Sequence, residues 1–378
     1  MKKYKQGPPK EIICPHPRCF EPFPLWDIRF RDSTGNLHPP HRPLFARLQR
    51  VPPMFANGQD GEKLLDKVCP KCEGRLPYTA GEQTDVIIGL VGAKFSGKSH
   101  FVATLLDRLE GPVGKAFDAS LMHIDDATVT RRTREFQEPL CHGLELPVTD
   151  PDAPPLLYNF TVPVQGNRGS YRHVTLVLCD TAGENFDKQD DVTERTKFLS
   201  YASGLILLVD PLQTTPVRQM LPATVKLPTQ MTAPNVILGR VVQELTKRGL
   251  IDVASRGRQR KLATPVAVAF AKCDTLRDAY VIDPHCLWSQ DIRHEGRYDL
   301  SLHNDVNGMF SEYLHQWDLA AWNTIRTHFE NFAFFGVSAT GCASDEKGRY
   351  ARIAPWRVED PLLWLLYQLG IIPGSAER

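Results

Sequence analysis

One short segment constrains the fold of this chain more than any other feature. Residues 92–99 read Gly-Ala-Lys-Phe-Ser-Gly-Lys-Ser, which matches the phosphate-loop pattern G-x-x-x-x-G-K-S. An apolar run at 86–91 precedes it and predicts a buried strand, and apolar side chains at helical spacing follow at 101–109. A glycine-rich turn between a strand and a helix N-terminus cradles phosphate groups with backbone N–H groups. The segment therefore predicts a nucleotide-phosphate site.

Two residues of this segment have specific predicted roles. We expect Lys98 to reach the β- and γ-phosphates of a nucleotide, and the Ser99 hydroxyl to bind Mg²⁺. An ordinary Gly/Ser turn is the alternative, and the flanking strand and helix argue against it. The predicted cofactor-binding residues here are Gly92, Ala93, Lys94, Phe95, Ser96, Gly97, Lys98, Ser99 and His100.

The composition argues against a nucleic-acid-binding, membrane or secreted protein. Of 378 residues, 42% are hydrophobic, and the net charge of +1 gives no strong field for nucleic acid or an anionic membrane. No apolar run approaches the roughly 20 residues that span a bilayer. The basic start lacks the apolar segment of a secretion signal. Five of the nine cysteines are scattered singly, which is typical of reduced thiols. We expect a soluble, cytoplasmic protein with no membrane contact.

From residue 85 onward, strand and helix patterns alternate, which predicts an α/β sheet covered by helices on both faces. Residues 156–164 alternate apolar and polar side chains, and the apolar run 174–179 returns after a Gly-rich turn. We expect these two strands to pair as a hairpin. Further strands are predicted at 205–210, 266–270 and 334–337, and helices at 236–250, 310–329 and 361–369.

The sequence Asp180-Thr181-Ala182-Gly183-Glu184 follows directly after the strand that ends at Cys179. The carboxyl ends of strands are where α/β sheets place groups that bind ligands. We expect Asp180 to hold the Mg²⁺ shell and the Gly183 backbone N–H to sense the γ-phosphate. A turn without function is the alternative, and the position after this strand favours the functional interpretation.

Two later segments carry predicted contacts to a base. Lys272 and Asp274 follow the strand at 266–270. A carboxylate there can accept hydrogen bonds from N1–H and the exocyclic amine of guanine, which adenine does not offer, so Asp274 predicts GTP rather than ATP. The Lys272 stem can lie along the base face. After the strand at 334–337 comes a tripeptide whose backbone N–H groups could meet guanine O6, formed by Ser338, Ala339 and Thr340.

This ordered set of segments resembles the Ras-like small GTPases of the translation-factor-related (TRAFAC) class, over about residues 85–370. The resemblance implies a P-loop GTPase fold with a mixed, mostly parallel six-stranded sheet and Mg²⁺-dependent binding of GTP and GDP. It also implies two switch segments, one before the hairpin and one after Gly183, that change order on hydrolysis.

A narrower similarity rests on the cysteine-rich start and the ending at 358–364, Val-Glu-Asp-Pro-Leu-Leu-Trp. Both look most like bacterial double-GTPase (DO-GTPase) proteins, which are inferred components of defence-type conflict systems. Those proteins are thought to act beside a companion GTPase or an effector. The similarity implies a protein partner of that kind for this chain.

Several positions depart from the family pattern. Ala271 stands where such enzymes usually carry Asn or Thr, and losing that tie between base loop and phosphate loop should weaken nucleotide affinity or speed exchange. Lys94 and Phe95 replace small residues and should crowd the space of a partner's arginine finger. Glu184 stands where Gln is common, and an ionised Glu can only accept hydrogen bonds. Glu184 could be a general base, but we favour slow intrinsic turnover, on the order of 10⁻⁴ to 10⁻² per second.

No motif identifies the threonine that senses Mg²⁺ and the γ-phosphate. Thr149, just before the hairpin, is the best candidate, and the alternatives are Thr128, Thr130 and Thr133. A nearby cluster could supply an arginine finger in cis, although we favour a helix-surface position for its members Arg131, Arg132 and Arg134. The predicted catalytic residues are Lys98, Ser99, Glu184 and Thr149, and the predicted magnesium ligands are Ser99, Asp180 and Thr149.

Before the phosphate loop the cysteines form two close pairs, Cys14 with Cys19 and Cys69 with Cys72. Two such pairs are the ligand pattern of a structural Cys₄ zinc site. The first pair is spaced more widely than usual, so His16 is kept as a substitute ligand. Metal binding would fold this Pro-rich end. We predict a zinc-ribbon-like module at 1–80 and a GTPase domain at 81–378, with insertions at about 211–262 and 275–331.

The sequence as a whole predicts a GTP-hydrolysing molecular switch that controls a partner protein in a bacterial defence-type system. A nucleotide-binding scaffold with little hydrolysis is the first alternative, favoured by Lys94, Glu184 and Ala271. A GTP-regulated zinc-ribbon module that binds nucleic acid ranks last. Its support is a set of aromatic residues that could stack bases but more often pack around a metal or against the protein body, namely Phe23, Trp26 and Phe30.

Overall fold

The architecture comes from a computed structural model of the chain. It describes residues 7–43, 51–150, 152–167, 169–180, 196–228, 231–252, 260–283, 285 and 295–375.

The N-terminal part consists of short strands in three small antiparallel sheets. Its own small core contains Ile12, Phe23 and Phe30 together with three of the paired cysteines. Phe23 and Phe30 are buried in this core, so their rings are not accessible for stacking on nucleic-acid bases. The strands are β1 (Glu11–Ile13), β2 (Pro22–Pro24), β3 (Arg29–Arg31), β4 (Leu37–His38), β5 (Ala56–Asn57), β6 (Lys63–Leu64) and β7 (Asp66–Val68).

The rest of the described chain is built on one seven-stranded sheet with the order β14-β13-β12-β8-β11-β10-β9. The five strands β14, β13, β12, β8 and β11 run parallel. Next to β11, β10 runs antiparallel, and β9 at the edge pairs antiparallel with β10, so it has the same direction as the other five. The strands are β8 (Thr84–Gly92), β9 (Ser120–His123), β10 (Leu156–Pro163), β11 (Tyr171–Asp180), β12 (Gly204–Val209), β13 (Val266–Phe270) and β14 (Phe332–Gly336).

Helices cover both faces of this sheet because successive strand residues point to opposite sides. On β8, Leu90 belongs to the core beneath one set of helices and Val91 to the core beneath the other. The helices are α1 (Lys98–Glu110), α2 (Pro112–Phe117), α3 (Asp126–Arg131), α4 (Glu138–Cys141), α5 (Thr215–Met220), α6 (Pro234–Lys247), α7 (Cys273–Asp278), α8 (Leu300–Trp317), α9 (Leu319–His328) and α10 (Asp360–Gln368).

The predicted hairpin is confirmed, since β10 pairs antiparallel with β11 from Leu156 opposite Leu178 to Pro163 opposite Tyr171. The predicted number of six strands is wrong for the described residues, because β9 adds a seventh. This strand has four residues, and three of them are exposed at the sheet edge, so it lacks the apolar alternation that marks a strand in the sequence.

The single helix predicted at 310–329 is also wrong, since two helices, α8 and α9, meet at Asp318. The Asp318 carboxylate accepts a hydrogen bond from the Ala321 backbone N–H at 2.9 Å and caps α9. The apolar pattern runs through this junction, so only the cap marks the break.

The N-terminal part contacts the sheet through both apolar and polar groups. Phe20 packs in the sheet's core with its ring centroid 6.2 Å from that of Phe198. The Thr175 hydroxyl on β11 donates to the Thr79 hydroxyl at 2.9 Å. The boundary near residue 80 and the two insertions stay predictions. Among the helices that the structure describes, none has the length and apolar character needed to cross a bilayer.

Candidate functional site

The phosphate-loop segment joins the centre of the sheet to a helix. It begins where β8 ends and reaches the first turn of α1 at Lys98. A Cβ at Gly92 would lie 2.6 Å from the Leu208 carbonyl oxygen, so only glycine lets this strand end approach β12 so closely. Gly97 has a φ of +88°, and a Cβ there would meet nothing within 4 Å, so the space beside the helix N-terminus is open.

Lys98 is buried at the base of the loop. Its ammonium donates to the carbonyl oxygens of Gly92 at 2.9 Å and Ala93 at 2.8 Å. Ser96 is fully buried, and its hydroxyl has no hydrogen-bond partner among the described residues. A cationic group, an open helix N-terminus and an unpaired hydroxyl fit the binding of an anion such as a phosphate.

Three oxygen-bearing side chains meet beside the start of α1. The hydroxyl oxygens of Ser99 and Thr149 lie 2.7 Å apart, and the Thr149 hydroxyl donates to Asp180 Oδ2 at 3.4 Å. The other carboxylate oxygen, Oδ1, is buried without a partner in the part of the chain described. Hydroxyl and carboxylate oxygens are the ligands that Mg²⁺ takes, so this donor set fits that ion.

The structure distinguishes Thr149 from the alternative threonines. Thr128 is buried, and its hydroxyl accepts a hydrogen bond from the Leu157 backbone N–H at 2.9 Å, which ties α3 to β10. Thr130 and Thr133 are exposed. Of the four candidates, Thr149 is the one whose hydroxyl contacts Ser99.

Asp180 is buried at the end of β11, next to charged side chains. Burial raises the pKa of its carboxyl group, and the nearby Arg131 and Lys98 cations act in the opposite direction. Arg131 Nη2 lies 3.4 Å from Asp180 Oδ2. The same side chain donates to the Pro154 carbonyl oxygen at 3.0 Å and pairs with Glu135 at 3.0 Å.

The helix-surface interpretation of the arginine cluster is therefore wrong for two of its three members. Arg131 is buried against Asp180, and Arg132 is buried and pairs with Asp107 and Glu110 on α1. Arg134 is exposed, as the sequence suggested. The sequence placed the three arginines on one helical segment. It did not show that carboxylates from other segments pair with Arg131 and Arg132 in the interior.

The segment predicted to bind a base, residues 271–274 (called the base-binding segment below), follows β13, two strands away from β8 in the sheet. Asp274 is buried, and its Oδ1 accepts a hydrogen bond from the Ser338 hydroxyl at 2.6 Å. The Gly341 backbone N–H donates to the same Ser338 hydroxyl at 2.9 Å. Burial raises the pKa of the Asp274 carboxyl group, while the bond from Ser338 lowers it.

The Ser338 side chain thus orients Asp274, a role different from the predicted backbone contacts of the tripeptide. Ala339 is partly buried against the sheet's core, and the Thr340 hydroxyl donates to the Cys342 carbonyl oxygen at 2.8 Å. The direct contact of these three residues with a guanine stays a prediction.

Lys272 connects the base-binding segment to the phosphate loop. Its ammonium donates to the Phe95 carbonyl oxygen at 2.9 Å and pairs with Asp210 at 2.7 Å. The two loops are therefore tied by Lys272, although Ala271 has no side chain for this role. The expected effect of Ala271 on nucleotide affinity or exchange stays a prediction. Phe95 itself is about half exposed, and the Lys94 ammonium lies 5.4 Å from its ring centroid.

His100 links the phosphate loop to two further segments. Its Nε2 accepts a hydrogen bond from the Leu146 backbone N–H at 3.3 Å and lies 3.1 Å from the Tyr350 hydroxyl. Burial lowers the pKa of His100 to about 4, so the ring is neutral at pH 7. The segment that carries Thr149 is thereby joined to the chain that follows the base-binding tripeptide.

Two predicted residues, Gly183 and Glu184, lie outside the described residues. Sequence reasoning missed Asp210 and Gln213, which lie in the turn after β12. Asp210 directly follows the apolar strand β12, and the same signal, an acidic residue directly after an apolar strand, identified Asp180.

The paired cysteines form a second site. The four Sγ atoms of Cys14, Cys19, Cys69 and Cys72 all lie within 4.8 Å of one another. Two of them, from Cys14 and Cys72, are 3.7 Å apart, and four sulfurs at about 2.3 Å from a tetrahedral zinc ion would lie roughly 3.8 Å apart. The cluster therefore fits a structural zinc ion.

Short backbone turns shape each cysteine pair. The Cys19 N–H donates to the His16 carbonyl at 2.9 Å, and the Lys71 N–H donates to Cys69 Sγ at 3.3 Å. Burial raises the pKa of the Cys14 thiol, and it raises the pKa of Cys19 to about 11. The His16 ring is not part of the cluster, since its Nε2 lies 3.0 Å from the Arg75 carbonyl oxygen.

Comparisons with known proteins identify one curated relative. The chain is 25% identical over 330 residues to the "Putative ESX-1 scaffolding and assembly protein SaeC" of Mycolicibacterium smegmatis, covering 81% of this chain and 80% of that protein. No protein-family model matches the chain.

Two solved structures show weak likeness. One is the Arl6 BBS3 small GTPase from Trypanosoma brucei with a bound nucleotide analogue, at a TM-score of 0.32 and 11% identity over 76% of this chain and 98% of that one. The other is a variant of SsGBP, at a TM-score of 0.30 and 13% identity over 76% of this chain and 58% of that one.

Proposed function

We propose that this protein binds GTP and GDP together with Mg²⁺ and hydrolyses GTP slowly, as a molecular switch. The observation that carries the proposal is the convergence of three chemically distinct groups at one sheet edge. These groups are the phosphate-loop cation Lys98, the oxygen cluster around Asp180 and the buried carboxylate of Asp274. Each follows a different parallel strand, and the Lys272 contact to Phe95 ties the last to the first.

The phosphate and metal contacts are assigned to the phosphate loop and its neighbours. Lys98 and the backbone N–H groups of the loop would hold the phosphates, and Ser99, Thr149 and Asp180 would hold Mg²⁺. When bound, Mg²⁺ neutralises charge that develops on the transferred phosphoryl group. Burial raises the pKa of Asp180, and the Arg131 and Lys98 cations offset part of this effect in favour of the carboxylate that would bind a cation.

Guanine selection is assigned to Asp274. A carboxylate fixed by Ser338 would accept hydrogen bonds from two donors of guanine, and adenine would leave the buried carboxylate without partners. We assign Gly183 to the γ-phosphate contact and Glu184 to a weak or absent positioning of water, which makes intrinsic turnover slow.

The experiment combines nucleotide selection with hydrolysis. Purified protein should bind GTP but not ATP, and it should release phosphate from GTP in a single turnover that requires Mg²⁺. Ser99→Ala and Asp180→Ala should abolish phosphate release. Ser301 is an exposed serine on α8, so Ser301→Ala is the matched control and should keep phosphate release. Equal binding of ATP would contradict the base assignment.

A second candidate is a nucleotide-binding scaffold with little hydrolysis. The relative SaeC is named for scaffolding and assembly, and at 25% identity this favours a role in which the chain holds protein partners. Nucleotide binding without measurable single-turnover phosphate release would select the scaffold. From the similarity to DO-GTPase proteins, we also propose that the chain controls an effector or a companion GTPase in a defence-type system.

We also propose that the four cysteines hold a structural zinc ion. Four thiolates would fill a tetrahedral shell and leave no open position for catalysis. One zinc ion per chain, measured on the purified protein, is the expected result. Nucleic-acid binding ranks below a protein partner, since Phe23 and Phe30 pack in the core around the cysteines.

A further inference from the structure

The turn after β12 lies between the phosphate loop and the base-binding segment, because β12 pairs with β8 on one side and with β13 on the other. Asp210 and Gln213 belong to this turn. Both side chains are almost fully buried, with exposed fractions of 2% and 1%. Buried polar side chains must be satisfied by hydrogen bonds, so the contacts of these two residues are informative.

Gln213 uses both ends of its amide group. Its Nε2 donates to the Lys94 carbonyl oxygen at 3.0 Å and to Asp210 Oδ2 at 3.2 Å. Its Oε1 accepts a hydrogen bond from the Thr232 backbone N–H at 3.0 Å. The side chain therefore joins the phosphate loop to two other segments.

Asp210 completes the connection to the base-binding segment. Its Oδ1 accepts from the Leu212 backbone N–H at 3.0 Å, which fixes the carboxylate within the turn. Its Oδ2 accepts from the Lys272 ammonium at 2.7 Å, and that ammonium also donates to the Phe95 carbonyl oxygen at 2.9 Å. Hydrogen bonds thus run in one circuit from Lys94 through Gln213, Asp210 and Lys272 to Phe95.

The circuit fixes two consecutive carbonyl groups of the phosphate loop. In a trans peptide unit the C=O and N–H point in opposite directions, so holding the Lys94 carbonyl also sets the direction of the Phe95 N–H. Phe95 has a φ of +64°, a left-handed conformation that is unfavourable for a bulky residue and that needs support from its surroundings. Ala271, next to Lys272, has no polar side chain that could supply such support.

We propose that Gln213 and Asp210 are positioning residues that hold the phosphate loop and the base-binding segment in the arrangement needed by one bound nucleotide. This inference rests on the proposed binding of guanine nucleotides. Gln213 and Asp210 do not touch the nucleotide; they act through the Lys94 and Phe95 carbonyls and through Lys272. Loosening this circuit speeds nucleotide release more than it slows association.

The test is the dissociation rate of a fluorescent GDP from Gln213→Leu, which keeps a similar side-chain volume but lacks the amide donors. We expect release about tenfold faster, equivalent to about 1.4 kcal/mol. Asp210→Asn should also speed release, and the double variant should be no faster than the faster single variant, because both changes break one circuit.

A matched control separates positioning from general destabilisation. Asn307 on α8 also uses its side-chain amide to bond a backbone group, accepting from the Phe334 N–H at 2.8 Å, at a position remote from the phosphate loop. Asn307→Leu should lower the melting temperature and leave the GDP release rate unchanged. Unchanged release from Gln213→Leu, or additive effects in the double variant, would overturn the positioning role and leave GTP binding intact. Failure of the unaltered protein to bind GDP would overturn both.

Discussion

The cysteine cluster and the nucleotide edge of the sheet differ in how they are assembled. The cluster consists of two short turns, residues 14–19 and 69–72, each closed by its own backbone hydrogen bonds within a small core. The nucleotide edge collects side chains from positions between 92 and 340 on separate strand ends. We therefore expect the first site to depend on a bound zinc ion and the second to depend on the sheet.

Loss of metal should have the largest effect, because zinc binding contributes about 10–16 kcal/mol in zinc-finger peptides. Cys69→Ser removes a buried thiol of the cluster and should abolish zinc content and make the first 80 residues sensitive to protease. GDP binding should persist if the two sites are independent. Cys141→Ser alters an exposed cysteine outside the cluster and should retain the metal. Loss of both zinc and GDP binding in Cys69→Ser would show that the two sites are not independent.

The variant Lys98→Ala tests the nucleotide site and leaves the cysteine cluster unaltered. Removing the loop's buried cation should weaken GTP binding about 100-fold, since hydrogen bonds to charged groups contribute roughly 1.5–3 kcal/mol. Zinc content should be unchanged. Titration of fluorescent GTP together with metal analysis measures both, and the exposed α2 residue provides the control Lys115→Ala. Retained affinity would mean that the phosphates bind elsewhere.

Asp274→Asn should weaken GTP binding about 10-fold to 100-fold and favour xanthine nucleotides, because the amide cannot accept from both guanine donors and leaving buried donors unpaired costs about 1–3 kcal/mol. Competition between GDP and XDP measures the change. The same helix carries an exposed carboxylate, so Asp278→Asn is a matched control. An unchanged preference for guanine would place the base on other residues.

Acidification should produce a smaller effect. The raised pKa of Asp274 means that its carboxylate gains a proton at a higher pH than an ordinary aspartate, whose pKa is about 3.9. As the pH is lowered, GTP affinity should therefore begin to decrease before the pH reaches about 3.9. The decrease should stay below about tenfold while only a fraction of the carboxyl groups is neutral. Binding isotherms across pH test this, and Asp274→Asn should lose the part of the pH dependence that comes from this carboxyl group.

The smallest change is expected where the two regions meet. Arg18 pairs with Asp152 at 3.3 Å, but the Arg18 side chain is 76% exposed. Exposed ion pairs contribute only about 0.2–1 kcal/mol. Arg18→Ala should shift the unfolding free energy by less than about 1 kcal/mol and leave zinc content and GDP release unchanged. A large change in GDP release would show that the regions are coupled.

The sequence predicted the elements that have strong local patterns. The phosphate loop, its strand and its helix lie where the G-x-x-x-x-G-K-S pattern placed them, and β13 matches the predicted bounds 266–270. The cysteine pairs predicted their own cluster, although the sequence kept His16 as a substitute ligand and only the structure leaves it outside the four thiols. These features are encoded within a few neighbouring residues.

Weak local signals explain the errors. Strand β9 is short and exposed, and the break at Asp318 is marked by a single cap. Arg131 and Arg132 have the spacing of surface helix residues, and only the carboxylates of Asp180, Asp107 and Glu110 account for their burial.

The amino-acid sequence alone determined the chemistry available to this chain: a phosphate loop, a carboxylate after each of several strands, and two thiol pairs. The tertiary structure decided which of these groups meet. It brought the hydroxyl of Thr149, and not of the other three candidate threonines, to Ser99, and it connected the phosphate loop to Lys272 through Gln213 and Asp210. The physical reason is that hydrogen bonds between distant segments depend on strand order and burial, and neither leaves a periodic mark in the sequence.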